Sequence, residues 1–347
     1  YRADPRPGKV DLGVGVYKDR DGKTPVMRAV REAEKRLLRG QDTKTYLGLA
    51  GDTGFNTAMA KLAFGENADL SRVRAAQAPG GAGALRLAAE LLKRTRADAT
   101  VWLSDRTWPN HMPVMRAAGL QIREYPYFDA AFGAVRFKDM LAALRTAELG
   151  DVVLLHGCCH NPTGANLDAA QWAEVADLVV ERGLLPFVDI AYQGFGEGLD
   201  ADAAGLRVLA AKVPEMVVAS SCSKNFAVYR DRVGAAMILA KDGAQADVAM
   251  SQMLSAARAL YSMPPDHGAA AVRIVLEDAG LRADWQAELE EMRLRMLRLR
   301  VAFAEALRRQ YNSDRFDFVA SHRGMFSRLG LSEAQVERLR TEHGVYM

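Results

Sequence analysis

The sequence predicts an α/β protein: a mostly parallel sheet covered by helices on both faces, with a smaller α+β unit attached. Three observations carry that prediction. Between about Gly80 and Leu239, short runs rich in Val, Leu and Ile alternate with helical patterns. Those runs are almost continuously apolar, as strands buried on both faces must be. From Leu281 to about Tyr311 the chain becomes one long helical pattern of Arg, Glu, Leu and Met.

The elements follow in order. "VDLGVGVYKD", from Val10, reads as an extended piece that joins the C-terminal unit. "ATVWL" (Ala99–Leu103), "LQIREY" (Leu120–Tyr125) and "DVVLLH" (Asp151–His156) read as strands. So do "LPFVDI" (Leu185–Ile190), "EMVVAS" (Glu215–Ser220) and "GAAMILA" (Gly234–Ala240). Helical stretches lie between them, including "GALRLAAELLKRTR" from Gly83 and "DAAQWAEVADLVVERG" from Asp168. The second opens on an N-cap residue, Asp168, and closes on a C-cap residue, Gly183. After the long helix come "DFVAS" and "GMFSRLG", then a capping-box start at Ser332 with Gln335. The predicted division is a large unit over 25–290 and a small one over 1–24 and 291–347.

Composition narrows the function classes. The chain has 347 residues, 49% hydrophobic and 26% charged, enough for a sizeable core. A net charge of +3 without a dense Lys/Arg tract argues against nucleic acid as a partner. No apolar run is long enough to span a bilayer, and the start has no signal-peptide pattern. Three cysteines, two of them adjacent at Cys158 and Cys159, make no disulfide framework. A reducing, cytoplasmic compartment is the expectation. The chain opens on Tyr1 and stops at Met347, directly after an amphipathic helix pattern, so both ends read as cut.

Ligands in doubly wound sheets gather outside the carboxyl ends of the strands. Here those ends carry chemistry. Asn161-Pro162-Thr163-Gly164 is turn sequence, and the Asn161 amide is also a donor for a ligand oxygen. Asp189 ends a strand among Phe187, Val188 and Ile190. A carboxylate there needs a partner, either a helix start or a ligand cation. Tyr192, three residues on, offers a phenol. Gly80, Gly81 and Gly83 precede a helix, where free N–H groups and the helix dipole favour an anion. Trp108 and His111 stand at another helix start, and Trp108 either fills the core or stacks on a flat ring. Finally, Lys224 follows Ser221 and Ser223 and precedes Arg232. Hydroxyls and a guanidinium suit a phosphate dianion. One cofactor accounts for a lysine beside a phosphate, a strand-end Asp and a stacking Trp. That cofactor is pyridoxal 5'-phosphate, held as a Schiff base with its ring nitrogen facing the Asp. A nicotinamide enzyme is disfavoured, because "GGAG" lacks the dinucleotide fingerprint spacing.

These residues resemble a known family along the whole chain. "VDLGVGVYKD", "TKTYLGLAG", "WPNH", "HNPTG", "DIAYQGF", "SCSKNF", "RVG", "YSMPPDHGA" and "GMFSRLGL" occur in order. They resemble the class I, fold type I aminotransferases, in particular the aspartate and aromatic amino acid subgroup. The resemblance implies a seven-stranded, mostly parallel sheet and transamination between an amino acid and a 2-oxo acid. It implies that Lys224 forms the Schiff base and that Asp189, backed by His111 and His156, holds the pyridine nitrogen. Asn161 and Tyr192 would donate to the cofactor's phenolic oxygen, and Trp108 would stack on its ring. Ser221, Ser223, Arg232 and the backbone at Gly81 and Ala82 would hold the phosphate. The resemblance also implies a homodimer. Tyr46 would reach the neighbouring subunit's phosphate, and Arg258 would cross to the substrate's distal carboxylate. Gly15 would close over the substrate. The Asn161–Pro162 bond is expected cis.

Three departures bear on substrate. Relatives usually have Ser or Thr where Ala82 stands, so a phosphate hydroxyl is lost. Met263 stands where aspartate-selective relatives commonly have Asn, which favours aromatic substrates, while Arg258 favours dicarboxylates. A dual-specificity enzyme for Tyr, Phe, Asp and Glu is the resulting expectation. Relatives also continue past "GVY" into a segment bearing the α-carboxylate arginine. That segment is expected to have been left off because chain ends are often mobile; a chain truly without it should bind substrate poorly. A β-lyase, a decarboxylase or a degenerate binding member would keep the same cofactor residues.

Overall fold

The computed structural model describes all 347 residues. Its strands, in chain order, are β1 (Val10–Asp11), β2 (Val73–Pro79), β3 (Thr100–Ser104), β4 (Gln121–Tyr125), β5 (Phe128–Asp129) and β6 (Ala134–Val135). Then come β7 (Val152–His156), β8 (Leu185–Ile190), β9 (Met216–Ser221), β10 (Val233–Leu239) and β11 (Val345–Tyr346). Seven make one sheet in the order β2–β10–β9–β8–β7–β3–β4. The five strands from β9 to β4 are parallel. Every residue of β8, β9 and β10 is buried, the consequence of apolar runs covered on both sides. Alternate side chains feed two cores. Val153, Leu155, Val188 and Val218 face one, and Val152, Leu154, Phe187 and Val217 the other.

All six strands expected from the sequence form. The seventh, β2, was not foreseen. Its sequence, "VRAAQAP", is mostly small residues with a terminal proline and carries little strand propensity. It pairs antiparallel with β10, which in turn runs antiparallel to β9. Val233 is therefore opposite Pro79, and Gly234 opposite Ser221. This pairing brings the glycines after β2 to Arg232 and Ser221, so the missed strand builds part of the site.

The helix Ala169–Arg182 has the expected Asp168 capping box and a left-handed Gly183. The long helix runs Ala279–Tyr311, capped by Asp278. Trp285 near its start is fully buried, donates to the Asn225 carbonyl at 2.7 Å and stacks on Phe226 at 4.4 Å. That contact ties the helix to the turn holding Lys224. "DFVAS" contributes a short helix, Phe318–Ser321, and the Ser332–Gln335 capping box opens the helix Glu333–His343. β1 pairs in parallel with β11, so the extended N-terminal piece does join the C-terminal part.

Candidate active site

Register places the polar strand ends side by side. His156 ends β7 directly opposite Asp189 of β8, and Ser221 ends β9 one strand further on. Together they open onto a cavity of about 1280 Å³. Trp108, His156 and Asn161 line it from the β3 and β7 ends. Asp189, Tyr192, Ser221, Ser223 and Lys224 line it from β8 and β9. Gly81, Ala82 and Arg232 close one side, and Gly15 faces them from the N-terminal segment.

Asp189 is buried, and no helix starts at its strand end. Its Oδ2 accepts from His111 Nε2 at 2.9 Å, and its other oxygen has no protein donor. Behind it runs a relay that fixes proton positions. His111 Nε2 donates to the carboxylate, so His111 Nδ1 accepts from the Thr107 hydroxyl at 2.6 Å. Thr107 Oγ1 then accepts from His156 Nε2 at 3.0 Å, and His156 Nδ1 faces the Asn161 N–H at 3.5 Å. His111, Thr107 and His156 thus form one hydrogen-bonded chain behind the carboxylate. Burial pushes the His156 pKa down to about 3. Burial works to raise the Asp189 pKa, but the His111 hydrogen bond and nearby positive charge outweigh it. Asp189 is held below the ordinary carboxylate range and stays an anion.

Lys224 has no hydrogen-bond or ion-pair partner. Its Nζ lies 4.6 Å from the centre of the Tyr192 ring. Burial lowers its pKa most, Asp189 opposes this, and Arg232 adds to it. Desolvation is the largest of these causes. Tyr192 OH accepts from Asn161 Nδ2 at 3.3 Å, and burial raises its pKa. The Asn161–Pro162 bond is cis, as expected.

The helix Gly80–Thr95 begins at the cavity edge and points its first N–H groups into it. Gly80 has φ +74°, and a methyl group there would overlap the Arg232 guanidinium. At Gly81 a methyl would lie 2.9 Å from Ser221 Cβ. Arg232 makes one hydrogen bond, from Nη1 to the Tyr229 carbonyl, which leaves its other donors free. The Ser223 hydroxyl is unpaired as well, while Ser221 Oγ accepts from the Ser223 N–H. A helix start, two serines and a guanidinium thus form an anion cup.

Two expected residues lie elsewhere. Tyr46 is 86% exposed and Arg258 is exposed, and neither lines this cavity. His111 sits behind Asp189 rather than on the wall. Sequence reasoning gave no role to Thr107, Phe326 or Arg300. Thr107 lies in the irregular stretch before the His111 helix, and none of the three had a local signal.

The family model for aminotransferase class I and II matches residues 7–347. The chain belongs to that family. This aminotransferase is 55% identical to a tyrosine aminotransferase of Rhizobium meliloti and 50% identical to an aspartate aminotransferase of Salmonella typhi. Each match covers all of this chain and 88% of the relative. Among solved structures, an aromatic-amino-acid aminotransferase from Burkholderia pseudomallei, covalently bound to pyridoxal phosphate, superposes with a TM-score of 0.97 at 46% identity. That match covers all of this aminotransferase and 88% of the other chain.

Proposed function

We propose that this aminotransferase uses pyridoxal 5'-phosphate to move amino groups between aromatic or dicarboxylic L-amino acids and 2-oxo acids. The observation that carries the proposal is a half-buried, unpartnered Lys224 sharing one cavity with the Asp189 anion and the anion cup. Each unpaired group matches one part of the cofactor. Lys224 suits its aldehyde, Asp189 its ring nitrogen, and the cup of Ser221, Ser223, Arg232, Gly81 and Ala82 its phosphate. Asn161 and Tyr192 suit its phenolic oxygen, and Trp108 its ring face.

When bound, the cofactor supplies a carbonyl that takes up the amino group and a ring that accepts the electron pair left by the α-proton. The chain's residues do the rest. Asp189 would hold a proton on the ring nitrogen, and the His111 hydrogen bond behind it keeps the carboxylate charged. Lys224 Nζ, once free, carries the α-proton, and its lowered pKa makes the neutral amine available. Tyr192 and Asn161 orient the phenolic oxygen side. Phe326 approaches Gly15 across the cavity mouth and excludes water.

Substrate range rests on the named relatives together with Arg258 and Met263, so Tyr, Phe, Asp and Glu are the proposed donors. A division into 25–290 and 1–24 plus 291–347 is supported by the β1–β11 pairing, with the cavity between the two units. A homodimer is supported by the exposed Tyr46 and Arg258. No helix is long and apolar enough to cross a membrane, and the three free cysteines favour cytoplasmic residence.

The deciding experiment adds one amino acid without an acceptor. About one 2-oxo acid per site is expected, with continuous turnover once 2-oxoglutarate is supplied. Continuous ammonia or carbon dioxide without an acceptor would instead establish a lyase or decarboxylase.

A further inference from the structure

Arg300 lies on the long helix, half-buried, and lines the cavity. It has no carboxylate partner. All five of its N–H donors go to one segment. Nε and Nη2 reach the Gly324 carbonyl, Nη2 also reaches the Phe326 carbonyl at 2.6 Å, and Nη1 reaches Ser327 Oγ and the Val319 carbonyl. A half-buried guanidinium without a counter-ion is costly, and its partial burial brings its pKa down to about 10. The neighbouring Arg323 adds like charge.

The segment that Arg300 holds is a cavity wall. Its other side leans on the Asn-Pro-Thr-Gly turn, where Arg323 N–H donates to the Gly164 carbonyl and Arg328 N–H to the Thr163 carbonyl. Gly324, at φ +84°, packs on Cys159, which a side chain at that position would displace. The ring of Phe326 then reaches across the mouth. A methyl at Gly15 would lie 2.9 Å from its Cζ and 3.9 Å from Tyr192 OH. The ring edge therefore stands within reach of the reacting centre.

We propose that Arg300 is a positioning residue for substrate choice: its fork fixes the Gly324–Ser327 backbone so that the Phe326 ring edge forms an apolar wall for aromatic side chains. This rests on the aminotransferase reading above. A dicarboxylate gains little from that wall, because its distal end needs a cation rather than a ring edge.

The test uses the full-length holoenzyme and Arg300→Lys, which keeps charge but loses the planar fork. The ratio of kcat/KM for phenylalanine to that for aspartate is expected to fall about tenfold, the size of one well-placed aromatic contact. The Kd of 3-phenylpropanoate is expected to rise similarly, with that of succinate within twofold. Ser327→Ala, which removes one acceptor, is expected to shift the same ratio about threefold and serves if the lysine variant does not fold. In a Phe326→Ala background, Arg300→Lys is expected to leave the ratio unchanged. Parallel loss for both substrates, or an unchanged ratio in Arg300→Lys and Ser327→Ala, overturns the inference. A wild-type protein that turns over aspartate alone overturns it but leaves the aminotransferase reading standing. No turnover of either amino acid overturns both.

Discussion

Asp189 accepts from His111 Nε2 at 2.9 Å, and the second oxygen of the same carboxylate is left without a protein donor. A buried anion with one oxygen free of protein donors suits a cationic ligand group. Asp189→Asn preserves shape and removes the charge. Turnover is expected to fall about a hundred- to a thousandfold, with little change in Tm. Steady-state kinetics and a thermal melt on the same preparation check this; activity within tenfold of wild type would remove Asp189 from the chemistry.

Lys224 is expected to be indispensable for turnover and harmful to the bare fold. Its pKa is lower in the folded chain, through burial first. At neutral pH the unfolded lysine holds its proton more firmly, so folding is penalised, and the penalty fades as pH rises through the unfolded value near about 10.4. Lys224→Met should abolish transamination yet raise the Tm of the cofactor-free protein by about 2–4 °C at pH 7. The gap should close toward alkaline pH. Calorimetry of both apoproteins across pH measures it, and a lower Tm for the variant at pH 7 would contradict the argument.

Gly80→Ala tests the anion cup. The substitution places a side chain at φ +74° and against the Arg232 guanidinium. The strain costs about 1 kcal/mol, and the displaced arginine weakens the cup. Cofactor affinity is expected to drop about tenfold or more, while the catalytic rate at saturating cofactor changes little. Titration of the apoprotein with the cofactor separates the two effects.

Ala82→Ser runs in the opposite direction. Ala82 lines the cavity beside Gly81 and offers no hydroxyl. A serine there adds one charge-assisted hydrogen bond to a phosphate, and cofactor Kd is expected to fall about three- to tenfold. An unchanged Kd would mean that this position does not face the phosphate.

Much of the site was legible because it stands at the ends of apolar strands. Asp189, Asn161, Lys224 and Ser221 each follow a run that no other element could use. β2 was hidden because alanines fill it, although its pairing sets where Gly80 and Arg232 meet. Thr107 joins His111 to His156 only because β3 and β7 are neighbours, and adjacency in a sheet is not written locally. Arg300 and Phe326 are far apart along the chain from every strand end. Their meeting with Gly15 depends on how the two ends of the chain close on each other.

Trp285 and Arg300 stand on the same helix. One grips the turn that carries Lys224, and the other holds the backbone that carries Phe326. Fifteen residues of α-helix separate them, about 22 Å of rigid rod. Inserting one residue between them would advance the second grip by about 1.5 Å and swing it by about 100°. The helix is thus a gauge: the span from cofactor floor to substrate wall is stored as a count of amino acids, which point substitutions cannot alter and a single insertion would spoil.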